Sequence, residues 1–177
     1  MNRHINSYHI RLARLDEILR LREIEDVASE MFTGLGLIDE ALDGSFPLDQ
    51  LSWLIGKGQV WVAYPDDDLP VGLVIVSVRD GAVYVEEMDV LPDQGRRGLG
   101  GCLLETVCEW AAKQGHSAVT LSTFRDVPWN GPFYRRHGFS DLAQDEWLPW
   151  MYAIRKKEEQ HGLHVERRVF MLRKLTK

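Results

Sequence analysis

The sequence has few cysteines, no long apolar run and no excess of basic residues. Its two cysteines, Cys102 and Cys108, are six residues apart, which on a helix puts them on different faces. We therefore expect free thiols rather than a disulfide or a metal site. No segment approaches the ~20 apolar residues that cross a bilayer, and the N-terminal stretch lacks an apolar signal core. The formal net charge of −6 argues against nucleic acid as a main partner. These absences predict a soluble, cytoplasmic protein without a membrane, nucleic-acid or metal partner.

The chain is long enough, at 177 residues and 45% apolar content, for one domain with its own core. Alternating or continuous apolar runs predict strands at 8–13, 59–65, 71–81, 82–92, 116–124 and 167–175. Apolar residues at helical spacing predict helices at 16–32, 48–58, 98–115, 130–138 and 149–162. The order of these elements indicates an α/β fold with a mixed sheet, in a single domain spanning 1–177 with its core at about 8–175.

Segment 91–107, LPDQGRRGLGGCLLETV, brings four glycines and two arginines to a predicted strand-to-helix junction. The unpaired N–H groups and the partial positive charge of a helix N-terminus attract anions, and Gly95, Gly98 and Gly100 keep side chains out of the way. A phosphate or diphosphate is the natural ligand; alternatively, the glycines only allow a tight turn. The segment is not a P-loop, since it lacks Gly-Lys-Ser/Thr, and it departs from a dinucleotide fingerprint because Leu103 replaces the third glycine.

The same segment resembles the acetyl-CoA signature of the GNAT N-acetyltransferase superfamily. That signature is a strand ending in Val-x-Pro, followed by Gln/Arg-x-x-Gly-x-Gly/Ala at the start of a helix. The positions that match are Val90, Pro92, Gly98 and Gly100. Gly95 stands where glutamine or arginine is usual.

A second stretch, WNGPFYRRHGF at 129–139, is similar to the later signature of that superfamily, a short helix with Phe-Tyr followed by Gly-Phe. The matching residues are Phe133, Tyr134, Gly138 and Phe139. Val127 occupies the position, seven residues before the tyrosine, where asparagine is common, and Asn130 follows it. Two such motifs at this separation, within a matching order of elements, identify the chain as a GNAT-like protein.

The resemblance implies a single-domain mixed sheet, mostly antiparallel and flanked by helices. It implies transfer of an acetyl group from acetyl-CoA, by direct attack, to a primary amine of a small molecule or peptide, without a metal. A catalytically inactive acetyl-CoA-binding module or sensor is the alternative. A homodimer could form through the edge strands or the C-terminal strand.

The resemblance also implies the cofactor contacts. The amides of residues 96–101 would hold the diphosphate, Arg96 and Arg97 would add positive charge, and the pantetheine arm would lie beside the strand before the glycine loop like an added strand. The implied cofactor-binding residues are Met88, Asp89, Val90, Gly95, Arg96, Arg97, Gly98, Leu99, Gly100, Gly101 and Asn130.

Two residues are implied for catalysis. An alkyl amine has a pKa of about 10 and must lose a proton before it attacks, so a base is needed. Strand alternation predicts Glu87 and Asp89 on one face and Glu86 on the other, and the resemblance selects Glu87. Tyr134 would give a proton to the leaving thiolate. The alternatives are a surface carboxylate and a core tyrosine.

The resemblance places the acceptor pocket between segments 31–47 and 141–150, whose carboxylates suit a cationic acceptor. Polyamines, aminoglycosides, amino acids and protein N-termini all remain open.

Overall fold

The computed structural model describes residues 4–5, 7–38 and 46–175. Within these ranges the strands are β1 (His4–Ile5), β2 (Tyr8–Leu12), β3 (Val60–Pro65), β4 (Gly72–Arg79), β5 (Ala82–Val90), β6 (Ala118–Phe124), β7 (Ser140–Asp141) and β8 (Arg168–Lys174). The α-helices in the same ranges are α1 (Ile18–Ser29), α2 (Leu48–Gly56), α3 (Leu99–Lys113), α4 (Gly131–Arg136) and α5 (Pro149–Gln160).

In the described part of the chain these eight strands form one sheet in the order β1-β2-β3-β4-β5-β6-β8-β7. All neighbouring pairs are antiparallel except β5 and β6, which are parallel. The predicted α/β fold with a mixed, mostly antiparallel sheet is therefore confirmed.

The elements observed differ from the prediction mainly where they are short. The two-residue strands β1 and β7 are too short to show a periodic pattern, so the sequence does not predict them. Strand β2 pairs with β1 through His9 and Tyr8. The predicted helix at 16–32 consists of α1 between two 3₁₀ turns, and Asp16 lies inside the first turn.

Helices cover both faces of the sheet. Side chains of α3 and α4 pack on one face, where the core includes Leu99, Leu103, Leu104, Val107, Tyr134 and the strand residues Val74, Val76, Val83, Val85, Val119 and Leu121. Helices α1 and α2 cover the other face over β3 and β4, through Leu21, Ile24, Leu51, Leu54, Val60, Val62, Leu73 and Ile75. Helix α5 covers that same face further along the sheet, with Met151 against Tyr84 and Phe170.

Strands β5 and β6 separate at the middle of the sheet. Their parallel pairing ends at Val85 and Leu121, whereas β5 continues to Val90 and β6 to Phe124. A register shift against β4 occurs at the same point, because Val76 pairs with Val85 and Ile75 with Glu87, which leaves Glu86 as the extra residue of a β-bulge. The sheet thus opens into a cleft directly beside the glycine-rich junction.

Candidate active site

A cleft of about 1820 Å³ occupies this opening. One side is formed by the last residues of β5, the junction before α3 and the start of α4. The other side is formed by α1, α5 and the first residue of β8, Arg168. The sequence motifs therefore contribute one half of the cleft, and segments far apart in the chain contribute the other.

The junction before α3 has the backbone of an anion-binding loop. Gly98 immediately precedes α3 with φ 83°, and a Cβ built at this position would meet no atom within 4 Å. Arg96 also has a left-handed backbone, with φ 59°, which is unusual for a residue with a side chain. Left-handed residues in such a turn aim successive N–H groups into a concave nest. Gly98 thus meets a conformational need and leaves the helix N-terminus bare.

Two other glycines of the segment have a packing role. A Cβ on Gly101 would lie 2.6 Å from Cε1 of His137, and a Cβ on Gly100 would lie 3.4 Å from Cζ of Phe133. These glycines allow α3 to approach α4 closely, so their lack of side chains has a reason apart from phosphate. Both still line the cleft, as does Gly95.

The two arginines of the junction differ in their contacts. Arg97 donates through Nη1 to the Tyr8 hydroxyl at 2.9 Å, and Tyr8 donates to Oε1 of Gln94 at 2.6 Å. Tyr8 is a buried residue of β2, so the loop is tied to the sheet through this chain of bonds. Arg96 is exposed and lines the cleft. Arg96 is thus placed to contact an anion directly, whereas Arg97 holds the loop in place.

Two features of the described residues suit an extended, amide-rich ligand between β5 and β6. Residues 86–90 of β5 have no ladder partner on the side of β6, and backbone N–H and C=O groups need partners when they are covered. Asn130 donates through Nδ2 to Oγ1 of Thr123 at 2.7 Å, but its buried Oδ1 has no hydrogen-bond partner. The predicted contacts of Met88, Asp89, Val90 and Asn130 fit this arrangement, and Leu99 lies buried at the floor of the junction.

Three carboxylates of β5 belong to the face covered by α1 and α2. Glu87 and Asp89 pair with Ile75 and Leu73, which lie in the core of that face. The prediction that Glu86 points to the opposite face is wrong, since Glu86 accepts from Oγ of Ser77 at 2.6 Å on this same face. The β-bulge causes the difference, because an extra residue breaks the strict alternation of a strand.

The cleft changes the acidity of these groups. Burial, reinforced by the charge of Glu25 on α1, raises the pKa of Glu87 to about 7, although Arg168 and the Met88 N–H act in the opposite direction. Burial also raises the pKa of Asp89, with the charges of Glu87 and Glu25 adding to the effect. A carboxylate with a pKa of about 7 can exchange protons at neutral pH, as a general base must.

Tyr134 is the fourth of the six residues of α4, and it lines the same cleft as Glu87. The phenol is buried, and this burial, together with the charges of Glu87 and Asp89, raises the pKa of Tyr134. Its hydroxyl makes no hydrogen bond to any of the described residues, so it keeps both its proton and its capacity to donate. Tyr134 is therefore part of the apolar core and also of the cleft surface.

Of the two expected acceptor segments, 31–47 lines the cleft and 141–150 does not. The described residues of the first segment that line the cleft are Met31, Phe32, Thr33, Gly34, Gly36, Ile38, Phe46 and Pro47. Residues 39–45 lie outside the described residues. None of the described residues 141–150 lines the cleft; Asp141 instead pairs with Arg135 at 2.7 Å. Glu158 and Arg168 also line the cleft, with Arg155 paired to Glu158, and the sequence pattern did not indicate any of the three as site residues. The spacing of Arg155 and Glu158, three residues apart on a predicted helix, indicates an ion pair and is the sequence feature from which these residues could have been found.

Other expectations concern ligand classes. Neither cysteine forms a disulfide; Cys108 is buried, but Cys102 is partly exposed and lines the cleft. Across the described ranges, no group of three or more histidine, cysteine or acidic side chains is arranged to hold a metal ion. Within the same part of the chain, no helix is both long and apolar enough to cross a membrane.

Comparison with known proteins agrees with this geometry. The family described as "Acetyltransferase (GNAT) domain" matches residues 56–141. An uncharacterized N-acetyltransferase, YjcF of Bacillus subtilis, is 28% identical over 100 residues, which is 56% of this chain and 69% of YjcF. The crystal structure of PaiA N-acetyltransferase from Thermoplasma acidophilum in complex with coenzyme A has a TM-score of 0.72 at 16% identity, over 95% of this chain and 99% of PaiA. N-acetylglutamate synthase from Neisseria gonorrhoeae, complexed with coenzyme A and N-acetyl-glutamate, has a TM-score of 0.70 at 17% identity, over 96% of this chain and 35% of the synthase.

Proposed function

Because the chain belongs to the GNAT acetyltransferases, we propose that it transfers the acetyl group of acetyl-CoA to a primary amine of a small molecule or peptide. The observation that carries this proposal is the single cleft that joins an anion-binding junction, an unpaired stretch of β5, a carboxylate of raised pKa and an unbonded tyrosine hydroxyl. When bound, acetyl-CoA supplies an acetyl thioester, which is an activated acyl group with a good leaving group.

The residues that would hold the cosubstrate come from both motifs. The N–H groups of residues 96–101 and the exposed side chain of Arg96 would bind the diphosphate. The backbone of Met88, Asp89 and Val90, with Oδ1 of Asn130, would bind the pantetheine arm. The protein and coenzyme A both carry a net negative charge and repel each other at long range, so these local donors must provide the affinity.

Glu87 would act on the acceptor. Its carboxylate accepts a proton from the ammonium group, which frees the lone pair of the amine nitrogen for attack on the acetyl carbon. The new C–N bond forms as the C–S bond breaks, giving an N-acetylated product and free coenzyme A. Tyr134 would donate its proton to the departing sulfur, and the second N–H proton, which the nitrogen loses as the amide forms, would restore the tyrosine. The proton taken by Glu87 would then be released to solvent.

Location and assembly are further parts of the proposal. We place the enzyme in the cytoplasm as one N-acetyltransferase domain. A homodimer through the sheet edge stays a prediction. In the structure, β7 pairs with β8 at Leu172 and Met171, so a second copy would have to pair beyond that short strand.

The experiment is a thiol-release assay with acetyl-CoA and a panel of amines, alongside calorimetric titration of coenzyme A. We expect micromolar binding of coenzyme A and amine-dependent thiol release. Binding without release for every amine would instead indicate a non-catalytic module. Absence of binding would contradict the assignment of the cleft.

A further inference from the structure

The far wall of the cleft carries an excess of positive charge. Glu158 pairs with Arg155 at 3.0 Å and with Arg168 at 3.0 Å, so two cations share one carboxylate. The side chains are only 15%, 9% and 12% exposed for Arg155, Glu158 and Arg168. Charges so far removed from water require compensation, and besides Glu158 the charge of Arg168 acts on Glu87, whose pKa it lowers.

Arg168 keeps donors that no described residue uses. Its Nη2 donates to the carbonyl oxygen of Ser122 at 3.0 Å and faces Glu158. Its guanidinium carbon lies 4.7 Å from the ring centre of Phe124, which fixes the plane of the group. Its buried Nε has no partner, and no hydrogen bond from Nη1 to a described residue is present. Arg168 therefore lines the cleft with a held guanidinium whose Nη1 no described residue uses, and this group suits a carboxylate.

Glu25 of α1 and Glu86 of β5 are already engaged, so neither is open to a second cation. Glu25 accepts from the Phe46 N–H at 2.5 Å and lies 3.4 Å from Arg22, so its charge is already engaged. Glu86 is bound by Ser77 and Arg79. Glu105 is paired with Arg173, and Asp26 of α1 lines the cleft as an exposed carboxylate. Glu87 and Asp89 of β5 also face the cleft, and one amine would be held there.

We propose that the acceptor is an amino carboxylate, with its amine at Glu87 and its carboxylate on Arg168. This inference rests on the proposed function and narrows its substrate class. A diamine or polyamine of similar length would place a second cation against Arg168. A carboxylate in that position would instead pair with Arg168.

The test compares matched acceptors with the wild-type protein. The probes are β-alanine, 4-aminobutyrate, 6-aminohexanoate and L-glutamate, each beside an amide or an alkylamine of equal length, with 1,4-diaminobutane and spermidine as polycations. We expect kcat/KM for at least one amino carboxylate to exceed that for its uncharged counterpart roughly tenfold. Preference for the diamine or for the uncharged amines overturns the inference while leaving the acetyltransferase proposal intact.

A pair of variants assigns that preference to Arg168. Arg168→Lys keeps the charge but loses the planar guanidinium. We expect most of the tenfold preference to disappear, measured as the ratio of kcat/KM for an amino carboxylate to that for its uncharged counterpart. Lys157→Gln is the matched control, because it removes a positive charge from an exposed residue at the same cleft and should leave the preference unchanged. An unchanged preference in Arg168→Lys, with circular dichroism showing a folded protein, overturns the assignment.

Binding provides a readout that does not depend on turnover. The same amino carboxylates are titrated calorimetrically into protein saturated with coenzyme A. Binding that is lost in Arg168→Lys supports the inference even if no amine is acetylated, in which case only the proposed function fails. No binding of any amino carboxylate to the folded wild-type protein, together with no turnover of any of them, overturns the inference.

Discussion

The two halves of the cleft are built in different ways. The half assigned to the cosubstrate comes mostly from two compact motifs, at 88–101 and 130–134, whose residues are close in sequence and in space. The half assigned to the acceptor combines Glu25, Glu87, Glu158 and Arg168, which lie on α1, β5, α5 and β8. A binding function that uses backbone amides can be specified locally, whereas one that uses opposed charged side chains requires long-range folding. The predictions below test whether the halves can be separated by substitution.

The largest effect is expected from Gly98→Val, which acts on the cosubstrate half alone. A β-branched residue is strained at φ 83°, and its side chain would extend into the open space in front of the helix N-terminus. We expect affinity for coenzyme A to fall at least a hundredfold in a calorimetric titration, with the fold retained. Gly81→Val is the matched control, since Gly81 has φ 79° and open surroundings in a distant hairpin. Equal affinity for coenzyme A in Gly98→Val and the wild type would show that the junction does not bind the cosubstrate.

The next effect is expected at the boundary between the halves, from Tyr134→Phe. Loss of the hydroxyl removes the donor to the departing sulfur, and general acid groups contribute roughly a hundredfold or more. We expect kcat to fall about a hundredfold while affinity for coenzyme A changes less than threefold. Tyr84→Phe removes another buried hydroxyl lining the cleft and should change kcat little. If both variants behave alike, the role of Tyr134 is packing alone.

Glu87→Gln acts on the acceptor half and tests whether Glu87 is the base. The base must be deprotonated, so kcat/KM of the wild type should rise with pH through about 7 and then level off, because burial raises the pKa of Glu87 to about that value. The variant should lose this inflection and react roughly 10- to 100-fold more slowly at pH 8. Glu86→Gln, next in sequence but bound by Ser77 and Arg79, should keep the inflection.

The same substitution has an opposite effect on stability. A carboxyl group whose pKa is higher in the folded than in the unfolded chain binds protons more tightly when folded, so the free energy of unfolding falls as pH rises from about 4.5 to about 7. Glu87→Gln removes this loss. We expect the variant to be more stable than the wild type by about 1–3 kcal/mol at pH 8 and no more stable at pH 4, measured by urea unfolding. Equal stability at both values would show that Glu87 is not desolvated.

The two halves also differ in how far the sequence predicts them. Periodicity predicts the five helices and the six longer strands, because each has enough turns or alternations to show its pattern. The role of Gly98 is predictable because the strand-to-helix junction that requires a glycine there is formed by residues adjacent in sequence. The bulge at Glu86, the contact of Gly101 with His137 and the donors of Arg168 are not predictable, since each depends on the register or approach of a distant element. Alternation within one strand, in particular, cannot reveal an extra residue that only the partner strand defines.

The smallest expected effect concerns a long-range contact inside the cosubstrate half, which is otherwise local. Tyr8, 86 residues before Gln94, accepts from Arg97 and donates to Gln94, so its hydroxyl connects both ends of the junction to β2. Tyr8→Phe removes two hydrogen bonds, each with a net value of about 1 kcal/mol, and part of that loss falls on the ordering of the loop. We expect affinity for coenzyme A to weaken about fivefold with kcat unchanged. Tyr64→Phe on the neighbouring strand β3 is the control, and it should match the wild type. An effect on kcat rather than on affinity would mean that Tyr8 acts on the acceptor half. The cosubstrate and acceptor halves could then not be treated as separate where the junction contacts β2.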